Sequence, residues 1–282
     1  MTTFLFLLFF AGALLVKHLF FWSPMDVSHL YGEGPLLMGH RGSPKEAPEN
    51  TIESFRKAVE SDLRAVEMDV LCTADGKVVC SHNHDLERET DGYGYIHETL
   101  YADLETINAG ARFKKIAHCS LPSLEEVISS LPDDCIMNIE VKSLSALDLG
   151  SVLKVVNLIE KYDIARRVLI SSFNPLVLWR VKMLNRCIPT AYLWSNENVP
   201  PVLMKPRFIN LVHPDMLHPA DHLVDESVFH LVKRKNLRLN VWTVNNLPAM
   251  KWLLEQGVDG LISDFPALML NAVGKKSPRR SI

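Results

Sequence analysis

Between Leu36 and Pro266, short apolar runs of strand length alternate with helical patterns about eight times. No other feature of the sequence narrows the fold as much. The strand-like runs are Leu36–Gly39, Ala65–Val70, Ile136–Val141, Val168–Ser171, Thr190–Leu193, Phe208–Leu211, Leu237–Val244 and Gly260–Ser263. Each is short, apolar and bounded by polar or turn residues, as expected of strands buried on both faces. An additional run, Lys77–Ser81, follows the Asp75-Gly76 turn and reads as a hairpin partner of the second strand. Between the runs, Val152–Tyr162, Leu176–Asn185, Glu226–Lys235 and Pro248–Gln256 carry apolar residues at helical spacing. Asn50 is placed to cap a helix over Thr51–Glu60, with Glu53 completing a capping box; Ser123 and Glu126 repeat the arrangement before Val127–Leu131. The pattern predicts an α/β fold, a TIM-type (β/α)8 barrel, with a doubly wound sheet as the alternative. The 282 residues suit one such barrel, and a 48 % hydrophobic content can fill its core.

Three segments depart from the rhythm. Residues 84–121 are polar, include Asp91-Gly92-Tyr93-Gly94, and read as a small insertion after the second strand, over the barrel mouth. Residues 1–23 are almost wholly apolar apart from Lys17 and His18, and the run to Trp22 is about long enough for a bilayer, which takes roughly 20 residues. Phe21 and Trp22 suit an interface, and Pro24 ends the helix. The expectation is a single-pass N-terminal anchor, with secretion after cleavage of a signal peptide as the alternative; no positive n-region or small-x-small cleavage site supports the latter. Lys17 follows the apolar core and so favours a cytosolic catalytic domain. The five cysteines form no C-x-x-C pair and read as free thiols of a reducing compartment. Residues 271–282 form a basic tail, Lys275-Lys276-Ser277-Pro278-Arg279-Arg280, expected to be solvated or to touch anionic lipid. The domain expected between these ends spans residues 35–270. A net charge of -3 argues against nucleic acid as a partner.

Barrel chemistry belongs at the C-terminal ends of strands, and charged residues collect there. His40 and Arg41 follow the first run; histidine passes protons near neutral pH, and the arginine fork suits phosphate oxygens. Glu67 and Asp69 share one face of the second strand, where two carboxylates inside a barrel repel unless a cation lies between them. Oxygen-only ligands favour Mg²⁺ or Ca²⁺. Glu140 and Lys142 repeat the spacing on another strand, offering a third oxygen ligand and a cation that pairs with it or holds phosphate. His82 follows Lys77–Ser81, with His84 two residues on; His-x-His is also a zinc-hydrolase pattern, and with Asp264 it leaves a zinc amidohydrolase barrel open. A non-catalytic phospholipid-binding protein is a third possibility.

Taken in order, these residues resemble the glycerophosphodiester phosphodiesterase family. The resemblance runs through His40-Arg41-Gly42, Pro48-Glu49-Asn50-Thr51, Glu67-Met68-Asp69-Val70, Thr73-Ala74-Asp75-Gly76, His82 and Ile139-Glu140-Val141-Lys142. It continues in Ser172-Phe173, Val241-Trp242-Thr243-Val244-Asn245 and Asp259-Gly260 to Ser263-Asp264, covering about Leu36 to Pro266. Asn83 stands where the family usually has Asp after its second histidine, but the spacing on to Leu86 and Arg88 selects His82 over the His84-Asp85 register. Ser263 replaces a more usual threonine. The resemblance implies a (β/α)8 barrel and one divalent metal, Mg²⁺ or Ca²⁺, on Glu67, Asp69 and Glu140. It implies phosphate neutralised by Arg41 and Lys142, His40 and His82 as general acid and base, and Phe173 and Trp242 against the glycerol carbons. The implied reaction is hydrolysis of a glycerophosphodiester to glycerol 3-phosphate and an alcohol. A lysophospholipase D acting on lysophospholipids with the same site is the alternative.

Overall fold

The structure, a computed structural model, describes residues 2–113, 118–145, 147, 150–197 and 199–274. In chain order the helices are α1 (Thr2–Phe20), α2 (Ile52–Glu60), α3 (Tyr101–Leu104), α4 (Leu124–Ser130), α5 (Gly150–Lys161), α6 (Pro175–Leu184), α7 (Ile209–Val212), α8 (Glu226–Lys235), α9 (Leu247–Glu255) and α10 (Pro266–Ala272). The strands are β1 (Leu36–Gly39), β2 (Ala65–Cys72), β3 (Val78–Cys80), β4 (Ile136–Val141), β5 (Val168–Ser172), β6 (Thr190–Trp194), β7 (Met216–Pro219), β8 (Arg238–Val241) and β9 (Gly260–Ser263). Eight of them pair in parallel in the order β1-β9-β8-β7-β6-β5-β4-β2, and β1 also pairs with β2, so the sheet closes on itself. This is the TIM-type barrel expected from the alternation. β3 lies antiparallel on β2 with Val70 opposite Cys80, as the Asp75-Gly76 turn predicts.

Alternate residues of each strand face in and out, so the barrel has two cores. Outward residues such as Val66, Met68, Met137 and Ile139 pack under the helices. The helices present matching stripes: Val152, Val155, Val156 and Ile159 of α5 recur at helical spacing and are buried. Inward residues Leu36, Met38, Ala65, Ile136, Leu169, Ala191, Met216 and Ile262 fill the lower barrel. Val27, Leu30 and Tyr31 close that end from below, and the Tyr31 hydroxyl reaches Asn240 Oδ1 at 3.2 Å. The bottom is therefore sealed by apolar packing, which leaves the upper end for polar chemistry. The insertion carries its own small core, including Leu86, Ile96, Leu104 and Leu121, against Leu71 and Val79; its residues 114–117 lie outside the described residues.

Two expectations change. Phe208–Leu211 is not a strand: it falls at the start of α7, and the seventh barrel strand is Met216–Pro219. That strand contributes two apolar residues between Asp215 and His218-Pro219, too short a run to compete with Phe-Ile-Asn-Leu in an apolar pattern. Asn50 does not cap α2; Thr51 does, accepting from the Ser54 amide at 3.2 Å, which frees Asn50 for another task. The Ser123–Glu126 capping box of α4 forms as expected. The segment expected to be a membrane anchor forms α1, whose 19 residues reach about 28 Å at 1.5 Å per residue. Among the described residues no helix is long and apolar enough to cross a membrane. Helix α1 leans on α7: His18 Nε2 lies 3.1 Å from the Leu211 carbonyl, and Trp22 stacks on His213 with ring centroids 4.7 Å apart. The basic run Lys275–Arg280 lies outside the described residues.

Candidate active site

The upper end of the barrel opens into a cavity of about 1130 Å³. His40, Arg41, Glu67, His82, Glu140 and Lys142 line one side, and Phe173 and Trp242 line it further round. Thus all but one of the nine residues singled out from sequence border the same space. The ninth, Asp69, lies beneath it at 1 % exposure and touches the lining through Arg41 and Lys142.

The turn after β1 sets the geometry. Arg41 adopts φ 53° and Gly42 φ 91°. A Cβ on Gly42 would come within 2.5 Å of Ser54, so only glycine fits. The turn aims the Arg41 amide at Glu67 Oε2, 2.9 Å away, while its guanidinium meets Glu49 at 2.7 Å and Asp69 at 3.3 Å. These carboxylates outweigh burial and hold Arg41 firmly charged. Asn50, also at positive φ, donates from Nδ2 to Asp69 Oδ2 at 2.9 Å and accepts the Asp69 amide on Oδ1 at 3.0 Å. A side chain read as a helix cap is instead a brace for a site carboxylate. An asparagine beside a helix start carries both meanings in sequence, and only the fold separates them.

Glu67 and Asp69 on β2 sit beside Asn138 and Glu140 on β4 in strand register. One carboxylate oxygen from each of Glu67, Asp69 and Glu140 lies within 4.8 Å of the others. Among the described residues this is the one group of three or more acidic, histidine or cysteine side chains so placed. Burial pushes the Glu67 carboxyl well above the usual range, and Asp69 and Glu140 push it further. Burial likewise raises Glu140, partly opposed by Lys142. Asp69 moves the other way: burial would raise it, but Lys142 and Arg41 outweigh burial. The Lys142 ammonium bridges Asp69 at 3.0 Å and Glu140 at 2.9 Å. Three close oxygen donors, two of them held towards the acid form chiefly by burial, could together hold a hard divalent cation.

The histidines follow two of the three strands that pair with β2. His40 follows β1, and its Nδ1 lies 2.6 Å from Asp264 Oδ1, just beyond β9. Asn245 Nδ2 donates to the other Asp264 oxygen at 2.8 Å, and Lys45 lies 3.7 Å from it. This carboxylate orients the imidazole and leaves Nε2 as the nitrogen open to a substrate. In sequence Asp264 reads as part of a matching signature or as a ligand of the zinc alternative; its contact with His40 comes from the parallel pairing of Gly39 with Ser263. His82 follows β3, where Ser81 bonds back to the Asp69 carbonyl at 3.1 Å. Burial lowers His82 to about 4, so it is neutral at pH 7. His84 also borders the cavity but reaches into a side pocket with Cys72, His97 and Ser151. The zinc alternative finds no support: among the described residues His82, His84 and Asp264 form no metal-ligand group, and Asp264 pairs with His40 instead.

Phe173 and Trp242 meet edge to face at 5.6 Å, and Trp242 Nε1 donates to the His218 carbonyl at 2.7 Å, fixing the indole. Beyond them the lining is mostly apolar, with Leu193, Val202, Leu203, Phe208 and Leu211, beside the polar Glu197, Asp221 and His222. The cavity thus joins a charged pole to an apolar flank.

Comparison with known proteins places the chain among phosphodiesterases in sequence and fold. The chain is 33 % identical over 242 residues to a glycerophosphodiester phosphodiesterase of Caldanaerobacter subterraneus, covering 85 % of this chain and 98 % of that one. It is 30 % identical over 234 residues to a glycerophosphodiester phosphodiesterase of Bacillus altitudinis, covering 82 % and 94 %. Its fold matches an Oleispira antarctica phosphodiesterase solved in complex with the product sn-glycerol-3-phosphate, with a TM-score of 0.77, 26 % identity and coverage of 87 % and 99 %. The family model for glycerophosphoryl diester phosphodiesterases matches residues 40–268, from the first site histidine to the last helix, and the chain belongs to that family.

Proposed function

We propose that the chain is a divalent-metal-dependent enzyme that hydrolyses glycerophosphodiesters to glycerol 3-phosphate and an alcohol, with His40 and His82 moving the protons. The observation that carries the reading is the carboxylate triad of Glu67, Asp69 and Glu140 at a cavity that His40 and His82 also line. The triad would hold one Mg²⁺ or Ca²⁺, which when bound polarises a non-bridging phosphate oxygen. Arg41 and Lys142 add positive charge beside it and neutralise the diester. His82, kept neutral by its burial, suits removal of a proton from the attacking hydroxyl. That hydroxyl is the glycerol 2-hydroxyl if a cyclic phosphate forms first; in the step that opens the ring the roles exchange, His40 taking a proton from water and His82 returning its proton to the 2-oxygen. His40 suits delivery of a proton to the departing alcohol, because Asp264 holds its Nδ1 and leaves Nε2 facing the substrate. Phe173 and Trp242 offer an apolar, edge-bounded slot for the glycerol carbons.

His40→Ala and His82→Ala should each lower kcat on glycerophosphocholine by about 10² to 10⁴-fold, with circular dichroism and melting temperature unchanged. Near-native turnover in either variant removes that histidine from the chemistry.

A second reading has its own observation. The apolar flank of the cavity includes Leu211 of α7, and α7 is the helix on which α1 leans. An acyl chain would find a dry wall there, so the same reaction centre would serve as a lysophospholipase D. In this reading α1 attaches the protein to a membrane through its exposed Phe4, Phe6, Phe9, Phe10 and Phe20, with the catalytic domain and its free thiols on the cytosolic side. Comparing kcat/KM for glycerophosphocholine and lysophosphatidylcholine separates the two substrates.

A further inference from the structure

Beside the carboxylate triad, the cavity floor holds polar groups that no protein atom satisfies. Asn138 is fully buried, and neither its Oδ1 nor its Nδ2 has a hydrogen-bond partner. Ser171 is fully buried as well, and its hydroxyl has none. Both line the cavity. Strand register places them together: Asn138 pairs with Glu67 across β2 and β4, and Ser171 pairs with Glu140 across β4 and β5. Two residues above Ser171 on the same face stands Phe173, and two above Asn138 stands Glu140. The floor therefore lies between the triad and the aromatic slot.

A buried amide or hydroxyl without a partner costs about 1–3 kcal/mol per group, which a well-packed barrel does not retain without return. The neighbours on the strands could not supply partners, since the lower layer is Ile136, Leu169 and Ala191. The three orphaned atoms comprise two acceptors and two donating groups, a pattern that matches a hydroxyl, which both donates and accepts. It does not match a carboxylate or an ammonium.

We infer that Asn138 and Ser171 form the subsite for the terminal hydroxyl of the glycerol arm and so set preference for a free glycerol over an arm without that hydroxyl. The inference rests on the proposed reaction, in which the glycerol arm enters beside Phe173 and Trp242. A site built to bond a hydroxyl discriminates strongly against an analogue that lacks it, because its own buried groups are then left unpaired.

The test crosses two substrates with three proteins. The substrates are glycerophosphocholine and the phosphocholine diester of propane-1,2-diol, which keeps the 2-hydroxyl and lacks the terminal one. The proteins are the full chain and its Asn138→Leu and Ser171→Ala variants. The full chain should favour glycerophosphocholine by roughly 100-fold in kcat/KM, and each variant should lose about 10-fold or more on it while changing little on the diol diester, so that the preference collapses. Mg²⁺ affinity, measured by calorimetry, should stay within about twofold, since 1.4 kcal/mol corresponds to tenfold and no ligand is touched. Equal losses on both substrates, or a loss of Mg²⁺ affinity, would show that the pair supports the carboxylates and would overturn the inference. Unchanged kinetics on glycerophosphocholine would mean that the floor holds water alone, and overturns it too. Ser171→Ala removes a single oxygen, so it decides the matter even where Asn138→Leu does not fold. A full chain inactive on both diesters would instead overturn the proposed reaction, and the subsite with it.

Discussion

Individual side chains in this barrel owe their chemistry to what surrounds them. His40 is usable because Asp264 holds its Nδ1 at 2.6 Å and Asn245 holds Asp264 in turn. Asp264→Ala should therefore lower kcat on the order of 10²-fold with little change in KM, and Asp264→Asn, whose amide oxygen can still accept from Nδ1, should lose less. A parallel rise in KM in both variants would contradict a purely orienting role. His218 shows the cost of an unassisted histidine. It is fully buried beside Asn240, whose Nδ2 donates to its Nε2 at 2.8 Å, and burial lowers it to about 3. Unfolded, it would titrate near 6.5, so between pH 6.5 and 3 the unfolded chain binds a proton that the folded chain refuses. Stability from this group is fully present above pH 6.5 and falls by up to about 1.4 kcal/mol per pH unit on acidification below it. His218→Gln should show a shallower fall of melting temperature from pH 7 to 5 than the parent; equal slopes would contradict the assignment.

At the level of elements, the short segment Val27–Tyr31 matters more than its length implies. It stops the lower end of the barrel, with Leu30 fully buried among strand residues of the inner core. Leu30→Ala should cost about 2–5 kcal/mol in chemical denaturation. Removal of residues 1–20, which stops short of that plug, should leave glycerophosphocholine turnover largely intact and release the protein from a membrane fraction; a truncated chain that still sediments with membranes would place the attachment elsewhere. The elements were unevenly legible in sequence. Ile136–Val141 was readable because four of its six residues are apolar and the two polar ones, Asn138 and Glu140, fall on one face, and α4 because Ser123 and Glu126 announce its start. Met216–Pro219 was not, because its inward members are a methionine and a buried histidine, and buried polar residues of that kind break the apolar pattern that marks a strand. Site residues on strand ends were legible from their spacing. Asn50 and Asp264 were not, because each acts on a partner, at positions 69 and 40, that only barrel closure brings near.

The whole molecule is a closed ring whose apolar bottom and charged top divide stability from chemistry. Three acidic groups from two strands are forced together at that top, and Lys142 and Arg41 compensate them only in part. Binding of Mg²⁺ or Ca²⁺ should therefore raise the melting temperature of the chelated protein, and Glu67→Gln should abolish that response along with turnover. The central claim is that this arrangement cuts the phosphodiester on the side of the alcohol and needs a metal to do so. Phosphorus-31 magnetic resonance of glycerophosphocholine incubated with the purified chain tests it most directly. The account predicts conversion to glycerol 3-phosphate, loss of conversion with EDTA, and recovery when Mg²⁺ or Ca²⁺ is added in excess. Phosphocholine as the phosphorus product, or turnover indifferent to EDTA, would contradict it.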